Sequence, residues 1–221
     1  MRLLELFSGP DNHGISGYFR NLGWDVVSID IEEKFEPTYV MDIHDITSEF
    51  LDEIQAPGKF DFVWAGVDCS CFSIMTVHHY WTEDSEPNEK NYGEALRLKT
   101  IEIIEYLRPD YWVIENPRAM MRTRSFPKHW ARYTICYCQY GAEWMKPTDL
   151  FGFLPSSWHP KMCHHPKSCH HEKSPRGSQG SGIQRLDLTA IERAAYPENL
   201  VRELYEHVNF AVSTGVRSWF I

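Results

Sequence analysis

Five short apolar or β-forming runs punctuate the first two thirds of the chain: Leu3 to Phe7, Asp25 to Ile29, Phe60 to Ala65, Tyr111 to Glu115 and Tyr133 to Cys138. Each is of strand length, and near-continuous apolar runs suit strands covered on both faces. Between them the period changes. Leu98, Ile101, Ile104 and Leu107 recur at helical spacing ahead of Pro109, and residues 14–22 fit a short helix after the first run. Leu200, Val201, Leu204 and Val208 mark one face of a last helix over residues 198–210. The alternation predicts an α/β fold, a mostly parallel sheet flanked by helices, with the last helix packed back on it.

Beyond Gly152 the texture shifts. Pro155, Ser156, Ser157 and Pro160 lead into a cysteine-histidine cluster, and Ser174 to Gly182 is rich in glycine and serine, which predicts a loop-rich appendage. The expected organisation is a core over 1–152, an appendage over 153–195 and a C-terminal helical segment over 196–221. No apolar run approaches the ~20 residues of a membrane span, and the N-terminus lacks a basic flank or cleavage-site pattern. A cytoplasmic protein without membrane contact is expected. Six cysteines in 221 residues are too sparse for a disulfide scaffold and favour metal or catalytic roles. A net charge of −9 excludes a protein that coats nucleic acid through a general basic surface, so any such contact has to be local.

Three segments carry candidate chemistry. In α/β sheets, ligands bind beyond the carboxyl ends of the strands, near helix N-termini. LELFSGPDNHGISGYF has that layout: Phe7, Ser8, Gly9 and Gly14 follow the first strand, and Asp30 ends the second, in order for ribose hydroxyls. A tight strand-to-helix turn uses glycine equally well. GVDCSCFS then sets Cys69 and Cys71 two residues apart beyond an apolar run, where each is either a reactive thiol or a small packed side chain. VIENPR places Glu115 at the end of another buried strand.

Taken in order, LELFSG with DVVSID, then DCSCFS, then VIENPR resemble the cytosine-C5 DNA methyltransferases, and YCQYG, MKPTDLFG and PRGS look like the small phage-type members. The resemblance implies a Rossmann-like class I fold that binds S-adenosylmethionine, with Asp42 reading the adenine amine and Ile31 flanking the ring. It places Cys69 as the nucleophile that adds to C6 of cytosine and Cys71 at a variable position. Glu115 would engage N3 and the exocyclic amine of the base, and Arg118 and Lys146 would contact a ring oxygen or phosphate. The partner would be DNA with the target cytosine flipped out of the stack, in the cytoplasm of a bacterial or phage-infected cell.

This chain departs from the pattern at two places. Val67 and Asp68 stand where the family carries two prolines, which removes loop stiffness and sets a carboxylate beside the thiol. Asp68 could instead accept a hydrogen bond from an exocyclic amine. Pro10, Asp11, Asn12 and His13 stand where small residues are expected. Two other classes therefore stay open: a catalytically impaired DNA- or cofactor-binding protein, and an enzyme acting on a free nucleotide or a different base.

MCHHPKSCHHEK adds Cys163, His164, His165, Cys169, His170 and His171, with Cys136 and Cys138 upstream. Such density of thiols and imidazoles suits tetrahedral zinc. Cys138, Cys163, Cys169 and His170 are the expected ligands, the last three resembling a pattern in the small phage-type methylases, and the ion would be structural. Lys173, Arg176 and Arg185 beside the glycine-serine run are candidates for phosphate contact.

Overall fold

A computed structural model describes residues 1–74, 87–164, 168–171 and 188–215, with the backbone alone for 87–91. The glycine-serine stretch, His165 and the cations Lys173, Arg176 and Arg185 lie outside the described residues. Seven strands form one sheet: β1 (Arg2–Leu6), β2 (Asp25–Asp30), β3 (Tyr39–Val40), β4 (Phe62–Gly66), β5 (Tyr111–Pro117), β6 (Ala131–Cys136) and β7 (Pro147–Phe153). Their order is β3-β2-β1-β4-β5-β7-β6. Pairings from β3 through β5 are parallel, whereas β7 runs antiparallel to both β5 and β6. This is the Rossmann-like α/β arrangement of class I methyltransferases.

Strand parity explains how the helices attach. Leu4, Leu6, Val63, Ala65 and Ile114 face one side and pack with α2 (Ser48–Gln55) through Leu51 and Ile54, and with α3 (Pro87–Leu107) through Leu96, Ile103, Ile104 and Leu107. Leu3, Phe62, Trp64 and Val113 face the other side and pack with α1 (Ser16–Asn21) and α5 (Glu198–Thr214). The expected stripe of α5 holds, since Leu200, Val201, Leu204 and Val208 are all buried. On α3 it does not hold throughout. Leu98 is 52% exposed, and the buried flank runs instead through Leu96, Arg97, Thr100, Ile103, Ile104 and Leu107. Arg97 can occupy that flank because Glu94 pairs with it at 2.5 Å and the Ser125 carbonyl accepts from it at 2.7 Å.

Two strands and two helices, α2 and the five-residue α4 (Ala190–Ala194), were not anticipated from the pattern. β3 has only two residues, and β7 looked like a motif, because it starts at a proline and carries Asp149 within an otherwise apolar run. Asp149 is buried because Thr134 donates to it at 2.7 Å and Arg122 pairs with it at 3.1 Å. The short amphipathic α2 is announced by Thr47, whose hydroxyl accepts the Phe50 N–H. No helix among the described residues is long and apolar enough to cross a membrane.

Candidate active site

The five parallel strands β3, β2, β1, β4 and β5 end on one edge of the sheet, and the candidate residues gather there. β1 exits through Phe7 and Gly9, both with positive φ, at 57° and 59°. That reversal brings the Gly9 N–H to one oxygen of Asp30 at 2.9 Å, while the Glu32 N–H takes the other at 2.9 Å. Beside this turn lies a cleft of about 340 Å³ lined by Phe7, Asp30, Ile31, Asp42, Asp68 and Tyr92, among others. Ile31 is 59% exposed there, an apolar face without a protein partner of its size. A cleft with apolar walls and carboxylates on its rim suits a ligand that is both aromatic and cationic.

Phe7, Asp30, Ile31 and Asp42 thus stand together, while Ser8, Gly9 and Gly14 do not line the cleft. Ser8 is buried next to it, and its Oγ has no hydrogen-bond partner. Gly14 has a different reason to be glycine from the one expected. A Cβ there would come within 2.8 Å of the Ser8 carbonyl and 2.9 Å of Glu5 Oε1. It lets the loop fold down onto Glu5, whose carboxylate accepts the N–H groups of Ile15 and Ser16 at 3.0 and 2.8 Å where α1 begins. Burial dominates even so and raises the Glu5 pKa to about 7, against the lowering by those hydrogen bonds.

The two cysteines of the β4 loop part company. Cys71 is buried under α3, where a Cβ on Gly93 would lie 2.5 Å from its own. Cys69 is open to solvent. Its thiol pKa is raised, first by the desolvation of its recess and then by Glu115 and Asp68, with Lys146 acting the other way. Asp68 turns to Ser70, accepting from its N–H at 2.9 Å and its hydroxyl at 2.7 Å. The carboxylate therefore fixes the turn that prolines would otherwise stiffen. From β5, Asn116 donates to the Val67 carbonyl at 2.9 Å and ties this loop to the Glu115 strand.

Glu115 is buried on the side of the sheet that α1 and α5 cover. Tyr137 donates to its Oε1 at 3.4 Å and Tyr196 to its Oε2 at 3.3 Å. Desolvation raises the Glu115 pKa, against Lys146, Tyr196 and Tyr137. Both phenols are held well above their ordinary pKa by burial and by Glu115, so they remain donors. Tyr196 reaches the carboxylate because β4 ends in glycine: a Cβ on Gly66, the register partner of Glu115, would lie 2.4 Å from the phenol oxygen. Lys146 donates to the Arg193 carbonyl at 3.1 Å and lies over the Tyr137 ring at 4.7 Å. Arg118 is exposed, its backbone N–H bonded to the Pro147 carbonyl at 2.9 Å.

Comparison with known proteins identifies the family. The C-5 cytosine-specific DNA methylase family matches residues 1–131, more than half of the chain. The chain belongs to that family. A Frog virus 3 (isolate Goorha) protein named "Probable DNA (cytosine-5)-methyltransferase" is 29% identical over 169 residues, which is 71% of this chain and 74% of the relative. A crystal structure of a DNA modification methyltransferase encoded within a prophage (E. coli) matches with a TM-score of 0.53 at 18% identity, covering 73% of this chain and 51% of that one. The S. pombe Dnmt2 methyltransferase matches with a TM-score of 0.44 at 15% identity, covering 72% of this chain and 53% of that one. The chain spans about half the length of these two solved structures.

The second cluster forms with one exchange of ligand. Cys138, Cys163, Cys169 and His171 bring their ligand atoms within 4.8 Å of one another. His170 falls outside this group: its Nδ1 lies 3.8 Å from the Cys169 Sγ, but its Nε2 meets the Ala142 carbonyl oxygen at 3.1 Å. His171 is buried with no hydrogen-bond partner at Nδ1. Cys138 belongs to a 3-10 turn over Tyr137–Tyr140 rather than to the end of β6.

Sequence reasoning missed Tyr137, Tyr196, Gly66, Asn116, Glu5 and His171. Tyr137 lay in plain view beside Cys138, but nothing in the pattern brings Tyr196 across 81 residues to Glu115. Glu5 yields a test. The folded state holds its proton more tightly than the unfolded chain does, so its stabilising contribution is complete below pH ~4.5 and is lost as pH rises through about 7. At most about 3 kcal/mol is involved. Urea unfolding across that window should show the wild type losing stability as pH rises, and Glu5→Gln should flatten the slope.

Proposed function

We propose that this family member transfers the methyl group of S-adenosylmethionine to C5 of cytosine in DNA, with Cys69 as nucleophile. The reading is carried by the shared electrostatic environment of Cys69, Glu115 and Lys146, next to the cleft that Asp68 also lines. The cleft fits the methyl donor: Phe7 and Ile31 offer faces to an adenine, and Asp30, Asp42 and Asp68 offer carboxylates to hydroxyl, amine and cationic groups. Asp30 and Asp42 each already accept backbone N–H groups, so their orientation is set in advance. S-adenosylmethionine supplies an electrophilic methyl on a sulfonium.

The chain's own residues supply the rest. Cytosine C5 becomes nucleophilic only after addition at C6. The Cys69 sulfur forms that bond after giving up its proton, and Lys146 favours the thiolate that must exist to attack. Glu115, with its pKa raised, presents a proton to N3, which takes up the ring charge as the carbon-sulfur bond forms. Tyr137 and Tyr196 hold the carboxyl group in place. C5 then bonds to the methyl carbon as the donor's sulfur-methyl bond breaks. Loss of the C5 proton to solvent then expels the Cys69 sulfur as a thiolate, N3 returns its proton to the Glu115 carboxylate, and the ring regains its aromaticity.

We assign residues 1–152 to catalysis, 153–195 to an appendage that contacts DNA, and 196–221 to a closing helical segment. A target in duplex DNA has to leave the stack to meet Cys69. Zinc is the metal that three thiols and one imidazole favour, held by Cys138, Cys163, Cys169 and His171 as a closed structural site. Its role is to tie a loop-rich segment to the turn after β6.

Two measurements follow. Labelled methyl transfer to cytosine-containing DNA should be abolished by Cys69→Ala and reduced at least ~10²-fold by Glu115→Gln, the scale of lost acid catalysis. Full activity in Cys69→Ala contradicts the mechanism. Metal analysis of the purified chain should give about one zinc per chain, lost in Cys163→Ser and Cys169→Ser and kept in His170→Ala.

A further inference from the structure

We infer that a strip running from Arg118 past Arg122 to Arg132 is where the phosphate backbone of duplex DNA lies against this protein. The inference rests on the DNA reading above and deepens it by naming the surface. Residues 116–142 hold Arg118, Arg122, Arg124, Lys128 and Arg132 and no aspartate or glutamate, in a chain whose net charge is −9. Such segregation is the local footprint that an acidic protein needs in order to approach a polyanion.

The fold turns the sequence segregation into a surface. Arg118 follows Glu115 by three residues and is pinned to the start of β7 through its N–H and the Pro147 carbonyl. Arg122 is anchored inward by its ion pair with buried Asp149 on the same strand. Arg132, on edge strand β6, extends its guanidinium to within 3.5 Å of the Arg122 carbonyl. It faces the same side of the sheet as its register partner Phe151. Arg118, Lys128 and Arg132 form no ion pair among the described residues, and all three are exposed. His129 is the one neighbour with an exposed acid against it, Glu105 at 3.3 Å.

Exposed Arg118 and Arg132, with no ion pair among the described residues and with the anchored Arg122 between them in sequence, fit a strand of phosphates entering the candidate edge. Backbone contacts of this kind set position and register without reading bases.

The test is fluorescence anisotropy with a short labelled duplex and the full-length chain, between about 50 and about 200 mM salt. Arg118→Gln/Arg132→Gln should bind about tenfold more weakly at the lower salt, with the log-log salt slope reduced by about 2. Arg118→Lys/Arg132→Lys should restore most of the slope, and S-adenosylmethionine titration heats should be unchanged in both. Wild-type affinity and slope in the glutamine double variant would overturn the strip while leaving the DNA reading in place. A wild-type chain with no measurable affinity for the duplex would overturn both.

Discussion

A carboxyl group buried at the end of a parallel strand is the constraint around which this molecule is arranged. Glu115 ends up nearly without solvent, and a carboxylate so placed demands either donors or a proton. It has both in prospect. Tyr137 and Tyr196 converge on its two oxygens from the turn after β6 and from two residues before α5. Gly66 leaves the room that Tyr196 needs, Lys146 sits over the Tyr137 ring, and Asn116 ties the neighbouring cysteine loop to the same strand. Tyr137, Lys146 and Tyr196 are therefore part of the candidate edge, and α5 beyond them covers the sheet.

The segment before α5 links the two ends of the site. The Tyr196 N–H donates to the His13 carbonyl in the first loop, and the Arg193 carbonyl accepts from Lys146. Movement of residues 193–196 would thus be felt at the first loop and at Lys146 together. The cysteine-histidine cluster adds a further tether, since Cys138 immediately follows Tyr137 in one tight turn. A metal gripping that turn would restrict the phenol that holds Glu115.

Much of the sheet was legible because buried parallel strands leave continuous apolar runs, and four of the five expected runs lead into the catalytic edge or its partner strand. β7 was hidden by Pro147 and Asp149, whose presence in a strand makes sense only once Arg122 and Thr134 are seen beside the acid. Leu98 fitted the spacing of a buried stripe, yet the helix turns its charged Arg97 inward because Glu94 and a carbonyl satisfy it there. The choice between His170 and His171 could not be made from order along the chain, since neighbouring side chains diverge and only the backbone path decides which one meets all three thiols. Cys69 and Cys71 differed in the same way, and there the family pattern supplied what spacing could not. Asp68 is the clearest departure: where the family stiffens its loop with proline, this chain closes a short turn with a carboxylate on Ser70.

In the proposed mechanism the Cys69 sulfur bonds to C6 of a cytosine while Glu115 gives and takes back the N3 proton. Incubating the protein and S-adenosylmethionine with DNA carrying 5-fluorocytosine blocks the final proton loss and should leave a denaturation-resistant adduct. Mass spectrometry of its peptides should locate the crosslink on Cys69. An adduct on another residue, or none from a preparation that methylates ordinary DNA, would contradict the account.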